Sequence, residues 1–414
     1  MRIAVLLLLL LPAVLEAQPA PPRMFLARDL VIDARTIKAD GSAAVASLSV
    51  APDGRMVIIP TSMFGGIHAF GADGKSLGWK IPVAGRETEI GWVGAVGWMG
   101  ETFWIGDMRF GQVVLIGRNG AIAKSIEHPS WVHPQWADRR KYPLFASMQP
   151  MALYPDSSML VVPYRSRSVF KTPGYDRTRE HLLRISATGA ILKTVATYDA
   201  DDGRTVTFKN SERSRHTMQL PFFTRSWRVI SADGRRIAIV EPATTDRDSG
   251  TFRITMLDEN GDTVYQRRYP QPVVRVNKAR VDSLLAHTKG IFDISAVEVR
   301  ATLARKIPQF RSFLTDVFVG IDHFTWVVQR PTADTARARD ALILDDRGTP
   351  VATVRMPDAF TSMVADRAHL WGVDRATAAL IRFKLQSTPP PVAAPTPVPP
   401  ARTAKAAAAK APAH

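Results

Sequence analysis

The densest group of side chains able to do chemistry is the stretch EHPSWVHPQWADRRKYP, where His128 and His133 alternate with Trp131 and Trp136. Imidazoles ligate transition metals, but a metal site takes three or four ligands in fixed geometry. Two histidines flanked by prolines supply neither, so the stretch reads as an irregular loop that presents aromatics to a partner. Ser76 in GKSLG matches the G-x-S-x-G nucleophile pattern on paper. That pattern works only at a strained strand-to-helix elbow, whereas the Asp73-Gly74 turn places Ser76 inside a hairpin, and the match is read as chance. WVGAVGWMG spaces its glycines three apart, but an anion site there needs a following helix N-terminus. ETFWIG follows instead, a strand, so the small residues are read as allowing close packing of strands. There is no HExxH, Walker-type GxxxxGK or EF-hand loop. Zero cysteines exclude disulfides, thiolate metal sites and thiol nucleophiles together. The expectation is no metal and no cofactor.

The elements that position such residues start behind a leader. Arg2 precedes the apolar run from Ile3 to Leu11, followed by Pro12 and by Ala17, a small residue at a cleavage position. Residues 1–17 are expected to be a signal peptide, since the run is about half of the roughly 20 residues that span a bilayer. No Cys follows for a lipid anchor, no later stretch is apolar enough to span, and no N-x-S/T sequon occurs. The expected location is periplasmic or extracellular, in a bacterium. The net charge of +16 would attract polyanions such as lipopolysaccharide or teichoic acid, although an Arg-rich, Lys-poor chain is first of all a mark of biased base composition. Export argues against nucleic acid.

Within the mature chain one grammar recurs: an apolar run, an Asp-, Gly- or Ser-containing turn, and a second apolar run. Inner hairpins of this kind start at Ser47, Val93, Met151, Ser226, Leu314 and Phe360, the fourth reading SWRVISADGRRIAIVE. Most are followed by a second hairpin, as in IHAFGADGKSLGWKI, VVLIGRNGAIAKSI and FRITMLDENGDTVYQRR. Asp-Gly and Asn-Gly supply the positive φ such turns demand. Two hairpins make a four-stranded sheet, and six such sheets make a six-bladed β-propeller. The sixth unit is one strand short. FLARDLVIDAR, residues 25–35, is strand-like and unpartnered, so it is expected to complete the last blade and remove the open edges. The expected fold is therefore all-β, a six-bladed propeller over residues 25–386 closed by an N-terminal strand.

Residues 164–181 and 199–222 are polar and poorly periodic and read as long loops. Residues 275–310 carry Val281, Leu284 and Leu285 at helical spacing, then Ser295 and Glu298 as a capping box ahead of Val299 and Leu303. They read as a helical hairpin inserted in the ring. The Pro/Ala/Lys-rich tail, residues 387–414, lacks the apolar content to order itself.

ADGRRIAIVE, FRITMLDENGDTVYQRRYP, the helical insertion, FRSFLTDVFVGIDHFTWVVQR, ALILDDRGTPVATVRMP and HLWGVDRATAALIRFKL together resemble the exported six-bladed propellers of Gram-negative environmental bacteria, related in grammar to NHL and TolB-like propellers. The resemblance covers about residues 25 to 386 and carries over no catalytic residue. In lactonase-like and regucalcin-like propellers a cage of carboxylates and amides holds a divalent cation at the channel mouth. The corresponding positions here include Gln149, Arg225 and Asp316, with Trp227 beside them. One acid next to one Arg reads as a structural ion pair before it reads as a ligand site. The function expected is non-enzymatic: a monomeric binding or scaffolding module for a protein, a peptide or an anionic envelope polymer. The alternative is a lactonase-like hydrolase acting at the channel mouth.

Overall fold

Asp recurs at the turns because its carboxylate can accept the N–H two residues on, closing the turn from within. Asp53 Oδ1 accepts from the Arg55 N–H at 3.1 Å, Asp73 from Lys75 at 3.0 Å and Asp233 from Arg235 at 3.0 Å. Gly54, Gly74 and Gly234 between them sit at φ of 84°, 80° and 74°, the left-handed region that glycine enters without steric cost. Apolar runs on either side then pair.

These hairpins are seen in a computed structural model. It describes residues 20–33, 45–60, 66–79, 90–91, 93–107, 110–127, 145–165, 179–199, 205–209, 215–222, 226–242, 250–272, 274–290, 294–311, 313–330, 339–357, 360–374 and 376–389, with 36 and 81. The expected leader, the His128 to Trp136 loop and Arg225 lie outside the described residues, as does the tail from 390 on.

β1 (Arg23–Ile32) comes first. β2 (Val45–Val50), β3 (Met56–Pro60) and β4 (His68–Phe70) form a three-stranded sheet, and β5 (Val93–Met99), β6 (Thr102–Asp107), β7 (Gln112–Ile116) and β8 (Ile122–Glu127) a four-stranded one. β9 (Phe145–Leu153), β10 (Met159–Arg165), β11 (Arg179–Ile185) and β12 (Ile191–Asp199) form the next. A separate hairpin, β13 (Thr205–Lys209) and β14 (Arg215–Gln219), precedes the sheet of β15 (Trp227–Ile230), β16 (Arg236–Pro242), β17 (Thr251–Asp258) and β18 (Thr263–Pro270). β19 (Val274–Arg275), α1 (Lys278–His287), α2 (Ala296–Lys306) and β20 (Phe310–Arg311) follow. The last sheet is eight-stranded: β21 (Leu314–Val319), β22 (Thr325–Gln329), β23 (Arg339–Leu344) and β24 (Pro350–Met356) meet β1, which continues into β27 (Leu380–Gln386), β26 (His369–Asp374) and β25 (Phe360–Ala365).

β1 therefore joins the C-terminal strands, as expected. It pairs antiparallel with β27 from Phe25↔Gln386 to Ile32↔Leu380 and parallel with β24 at Arg23 and Met24. Asp29 clamps the pair, accepting from Arg382 Nε at 3.0 and 3.1 Å.

The arrangement is all-β and propeller-like, because each sheet buries its faces against its neighbours. Trp79, Ile90, Trp98 and Phe103 pack between β2–β4 and β5–β8. Trp104, Val113, Leu153 and Met159 pack β5–β8 on β9–β12, and Tyr154, Leu160, Ile237 and Leu257 pack that sheet on β15–β18. Phe252, Tyr269, Leu314 and Val327 link β15–β18 to β21–β24. Trp326, Ile343, Phe360 and Phe383 link β21–β24 to β25–β27. Ile32, Met56, Phe70 and Trp371 join β1 and β26 to the β2–β4 sheet.

Three expectations are corrected. Residues 199–222 are not a long loop: β13 and β14 pair from Thr205↔Gln219 to Lys209↔Arg215. Val206 and Phe208 alternate at strand period and, with Leu220, build a small core with Ile294, Val299 and Leu303. The polar residues between them hide that alternation in the sequence. Part of 164–181 is also strand, since β11 starts at Arg179. IHAFGADGKSLGWKI, read as a full hairpin, gives only β4 and the isolated bridges Phe70↔Ser76 and Ile67↔Ile81; Lys75, Ser76, Leu77 and Gly78 are exposed and have no apolar face to bury. The helical reading holds: the Ser295 side chain caps α2 by accepting from the Glu298 N–H at 3.2 Å, and β19 pairs with β20 to close the insertion at its base.

Gly261, in the β17–β18 turn, shows how tightly the sheets meet. Its φ is +82°, and a Cβ there would lie 2.3 Å from the Val195 carbonyl oxygen of β12. Gly261→Ala is expected to cost at least about 2 kcal/mol, combining left-handed strain with a backbone clash. Urea unfolding checks this; an unchanged midpoint would mean the two sheets are not in contact there.

Candidate functional site

The described residues form a pocket of about 380 Å³ where the turns after the first strands of four sheets, β2, β5, β9 and β15, converge. Its apolar lining comes from Trp98 and Met99 at the end of β5, Leu153 and Tyr154 at the end of β9, and Pro52 and Pro155 in turns. Asp156, Arg184, Asp233, Arg235 and Glu259 supply the charge. Local sequence explains the convergence. Trp98 N–H donates to the Ala232 carbonyl at 3.2 Å, linking two sheets that are not sequence neighbours. Gly97 permits this, because a Cβ would meet the Ala232 oxygen at 2.8 Å and the Trp104 ring at 2.8 Å. Tyr154 donates its hydroxyl to the Gly234 carbonyl at 3.0 Å. Gly97 of WVGAVGWMG thus serves close packing, as read from the sequence, whereas Gly100 turns the chain at φ 58° with nothing within 4 Å of where a Cβ would lie.

One wall of the pocket is fixed. Arg184 donates to Ser158 Oγ at 2.9 Å, to Asp156 at 3.0 Å and to Asn260 at 3.3 Å, and its guanidinium lies 4.5 Å from the centre of the Tyr154 ring. The Ser158 hydroxyl, helped by the Ser158 N–H and Arg184 and opposed by burial, holds the Asp156 carboxyl below its ordinary value. Burial pushes the Tyr154 phenol well up, so it stays neutral.

Asp233 ties this wall to the next sheet. His323 Nε2 donates to its Oδ2 at 3.0 Å across 90 residues, and Ser231 donates to Oδ1 at 2.6 Å. Burial pushes the Asp233 carboxyl up, but the bonds from His323, Ser231 and the Arg235 N–H outweigh it and hold it at about 2. His323 itself sits at φ 70°, where the β2–β3 and β15–β16 turns carry Gly54 and Gly234 and the β9–β10 turn carries Ser157. Histidine tolerates that region better than most residues, and the bond to Asp233 offsets the strain.

His323→Ala is expected to lower stability at neutral pH by about 2 kcal/mol, the scale of a hydrogen bond to a charged group. A carboxyl held below its ordinary value of 3.8 stabilises fully above that pH, and the contribution is lost as pH falls through about 2. Without His323 the Asp233 carboxyl moves back toward 3.8, so the variant starts less stable but loses less between about pH 4 and 2, and its profile is flatter there. Urea midpoints between pH 2 and 6 check this, and superimposable profiles for the two proteins would contradict it.

Arg235 differs from the rest. Its Nε lies 3.9 Å from Asp233 and 4.0 Å from Glu259, both beyond hydrogen-bond length. Its side chain is 63% exposed, and among the described residues its guanidinium makes no hydrogen bond.

Of the residues expected at the channel mouth, the three that are described do not line this pocket. Gln149, in mid-β9, donates from Nε2 to the Gly94 carbonyl at 2.9 Å, which joins two first strands. Trp227, at the start of β15, is buried in the core against β21. Asp316, near the start of β21, accepts from the Val317 N–H at 2.9 Å. All three precede the ends of their strands, whereas the pocket gathers the turns that follow. Among the described residues, no three His, Asp or Glu side chains are grouped to hold a metal ion. Sequence reasoning missed Tyr154, Arg184, Asp233, Arg235 and Glu259 because it treated the Asp turns only as turn formers. One signal was available: IDHF replaces the glycine of ADGR with His323.

No family model matches the chain, and no curated protein matches it. Among solved structures, a member of the DUF4221 family from Bacteroides vulgatus overlaps at TM-score 0.46 and 10% identity, over 88% of this chain and 99% of that one. Streptogramin B lyase overlaps at TM-score 0.40 and 9% identity, over 86% and 98%. BamB from Moraxella catarrhalis overlaps at TM-score 0.32 and 12% identity, over 87% and 99%. Overlap at this level carries no argument, and the propeller-like assignment rests on the chain's own packed sheets.

Proposed function

We propose that the chain is an exported six-bladed propeller that acts as a non-enzymatic binding module, with the turn-end pocket as its recognition site. Six successive antiparallel units supply the blades, with β1 as the fourth strand of the last, and the core cluster of Ile32, Phe70 and Trp371 supports closure of the ring. The leader-like first 17 residues support export to the periplasm or beyond. The observation that carries the binding reading is the pocket itself: an apolar, aromatic lining, with charged groups that are mostly held by one another. Asp156 is held by Arg184 and Asp233 by His323, which builds a rigid wall and leaves neither carboxylate primed as a base.

Charge selects among partners. Three acids and two arginines line the pocket, so an anionic polymer is disfavoured there despite the chain's overall +16. A ligand that inserts one apolar side chain, from a free amino acid to a short peptide, fits better. Titration calorimetry of the chain from Ala20 onward with a panel of apolar amino acids and dipeptides, free and end-blocked, is expected to give saturable binding of at least one member without turnover. Hydrolysis of a lactone panel that stops on adding EDTA would replace this reading with the hydrolase one.

A further inference from the structure

Resting on that reading of the pocket, we propose that its ligand is a zwitterionic, apolar α-amino acid. The carboxylate would sit on Arg235, the ammonium on Glu259, and the side chain against Met99, Pro52 and Pro155.

The argument starts from which charges are spare. Arg184 spends its donors on Ser158, Asp156 and Asn260, and Asp233 accepts from His323 and Ser231. Arg235 and Glu259 remain, 4.0 Å apart, with side chains 63% and 39% exposed. A pair at that distance and exposure contributes little, well under about 1 kcal/mol. A zwitterion inserted there exchanges one weak contact for two charge-assisted hydrogen bonds, each about twice as strong as a neutral one. The groups match in span as well, because the nitrogen and carboxyl carbon of an α-amino acid share one Cα and lie about 2.5 Å apart.

Two alternatives fit worse. An anion alone meets three carboxylates, and a cation alone leaves Arg235 without a counter-charge. The floor asks for an apolar body: Met99, Pro52 and Pro155 present accessible apolar surface, backed by the core side chains Trp98 and Leu153, 1% and 2% exposed. About 380 Å³ lies at the small end of ligand sites, enough for one large side chain and short of a folded peptide segment.

The test is calorimetric titration with L-phenylalanine, its amide, N-acetyl-phenylalanine, N-acetyl-phenylalanine amide and 3-phenylpropionate. Saturable binding of L-phenylalanine is expected, at least tenfold tighter than each of the other four. Arg235→Ala and Glu259→Gln are each expected to weaken it at least tenfold while leaving the melting temperature unchanged, as both side chains are exposed. Equal binding of the doubly blocked compound, or of 3-phenylpropionate, would overturn the zwitterion and leave the binding module standing. Unchanged affinity in both variants would overturn this placement of the ligand. No binding of L-phenylalanine at millimolar concentration, with end-blocked dipeptides still binding, would overturn the inference alone.

Discussion

A chain that starts at Thr36, lacking β1, is expected to lose cooperative folding and precipitate, whereas a chain that starts at Ala20 folds. β1 is hydrogen-bonded to β27 along its length and to β24 at its start. It also fills the joints on both sides. Met24 and Leu26 pack on the cluster around Trp326 and Phe383, while Leu30 and Ile32 pack on the one around Phe70 and Trp371. Arg382, which clamps Asp29, also donates to the Ala72 carbonyl at 2.9 Å in the turn after β4. Removing the strand uncovers two core clusters and two sheet edges at once, and an open apolar edge is a template for aggregation. The loss should exceed that of any single core truncation, more than about 5 kcal/mol. A peptide covering residues 20–33, added during refolding, is expected to restore solubility in part. Equal melting temperatures for the two chains would show that β1 contributes no closure.

Trp326→Ala is expected to cost about 3–5 kcal/mol, the range for removing a large buried aromatic. Trp326 is 0% exposed in the middle of β22 and stacks on Phe318 at 5.6 Å between centroids and 18° between planes. Its neighbours Ile343, Phe360 and Leu370 lie on the two arms of the eight-stranded sheet that β1 joins, β21–β24 and β25–β27, which cannot collapse into the space without parting. Its indole N–H has no hydrogen-bond partner among the described residues, so the loss is one of packing alone. Trp326→Phe, which keeps an aromatic ring and removes the unsatisfied donor, should recover more than half. Urea unfolding followed by far-ultraviolet circular dichroism separates the cases, and a loss under about 1 kcal/mol for Trp326→Ala would contradict the joint.

The strands were legible because alternation and Asp-Gly turns are local signals. Asp233, Gly234 and Arg235 announce their turn within three residues, and the Ser295 to Glu298 cap does the same for α2. The orphan strand at the N-terminus was legible by elimination, although its bounds shifted from 25–35 to Arg23–Ile32. What stayed hidden depends on contacts between distant segments. The hairpin of β13 and β14 owes its order to Val299 and Leu303 on a helix some 90 residues later. The pocket needs Trp98 bonded to Ala232, and the wall behind it needs His323 on Asp233; neither pairing leaves a mark in spacing. The channel-mouth candidates Gln149 and Trp227 lie within their first strands, one bonded to Gly94 and the other in the core, while Arg235 lies in the turn that follows β15.

The central claim is that β1 closes the sheet array by pairing with β27, and the chain's lack of cysteine makes it directly measurable. Ala27 and Lys384 are paired residues in the β1–β27 ladder, and paired antiparallel positions lie within the Cα range a disulfide requires. The double variant Ala27→Cys/Lys384→Cys should oxidise to an intramolecular disulfide, seen as faster migration on non-reducing gels and a higher melting temperature than the reduced form. Free thiols after oxidation, or crosslinks only between chains, would show that the N-terminal strand lies elsewhere.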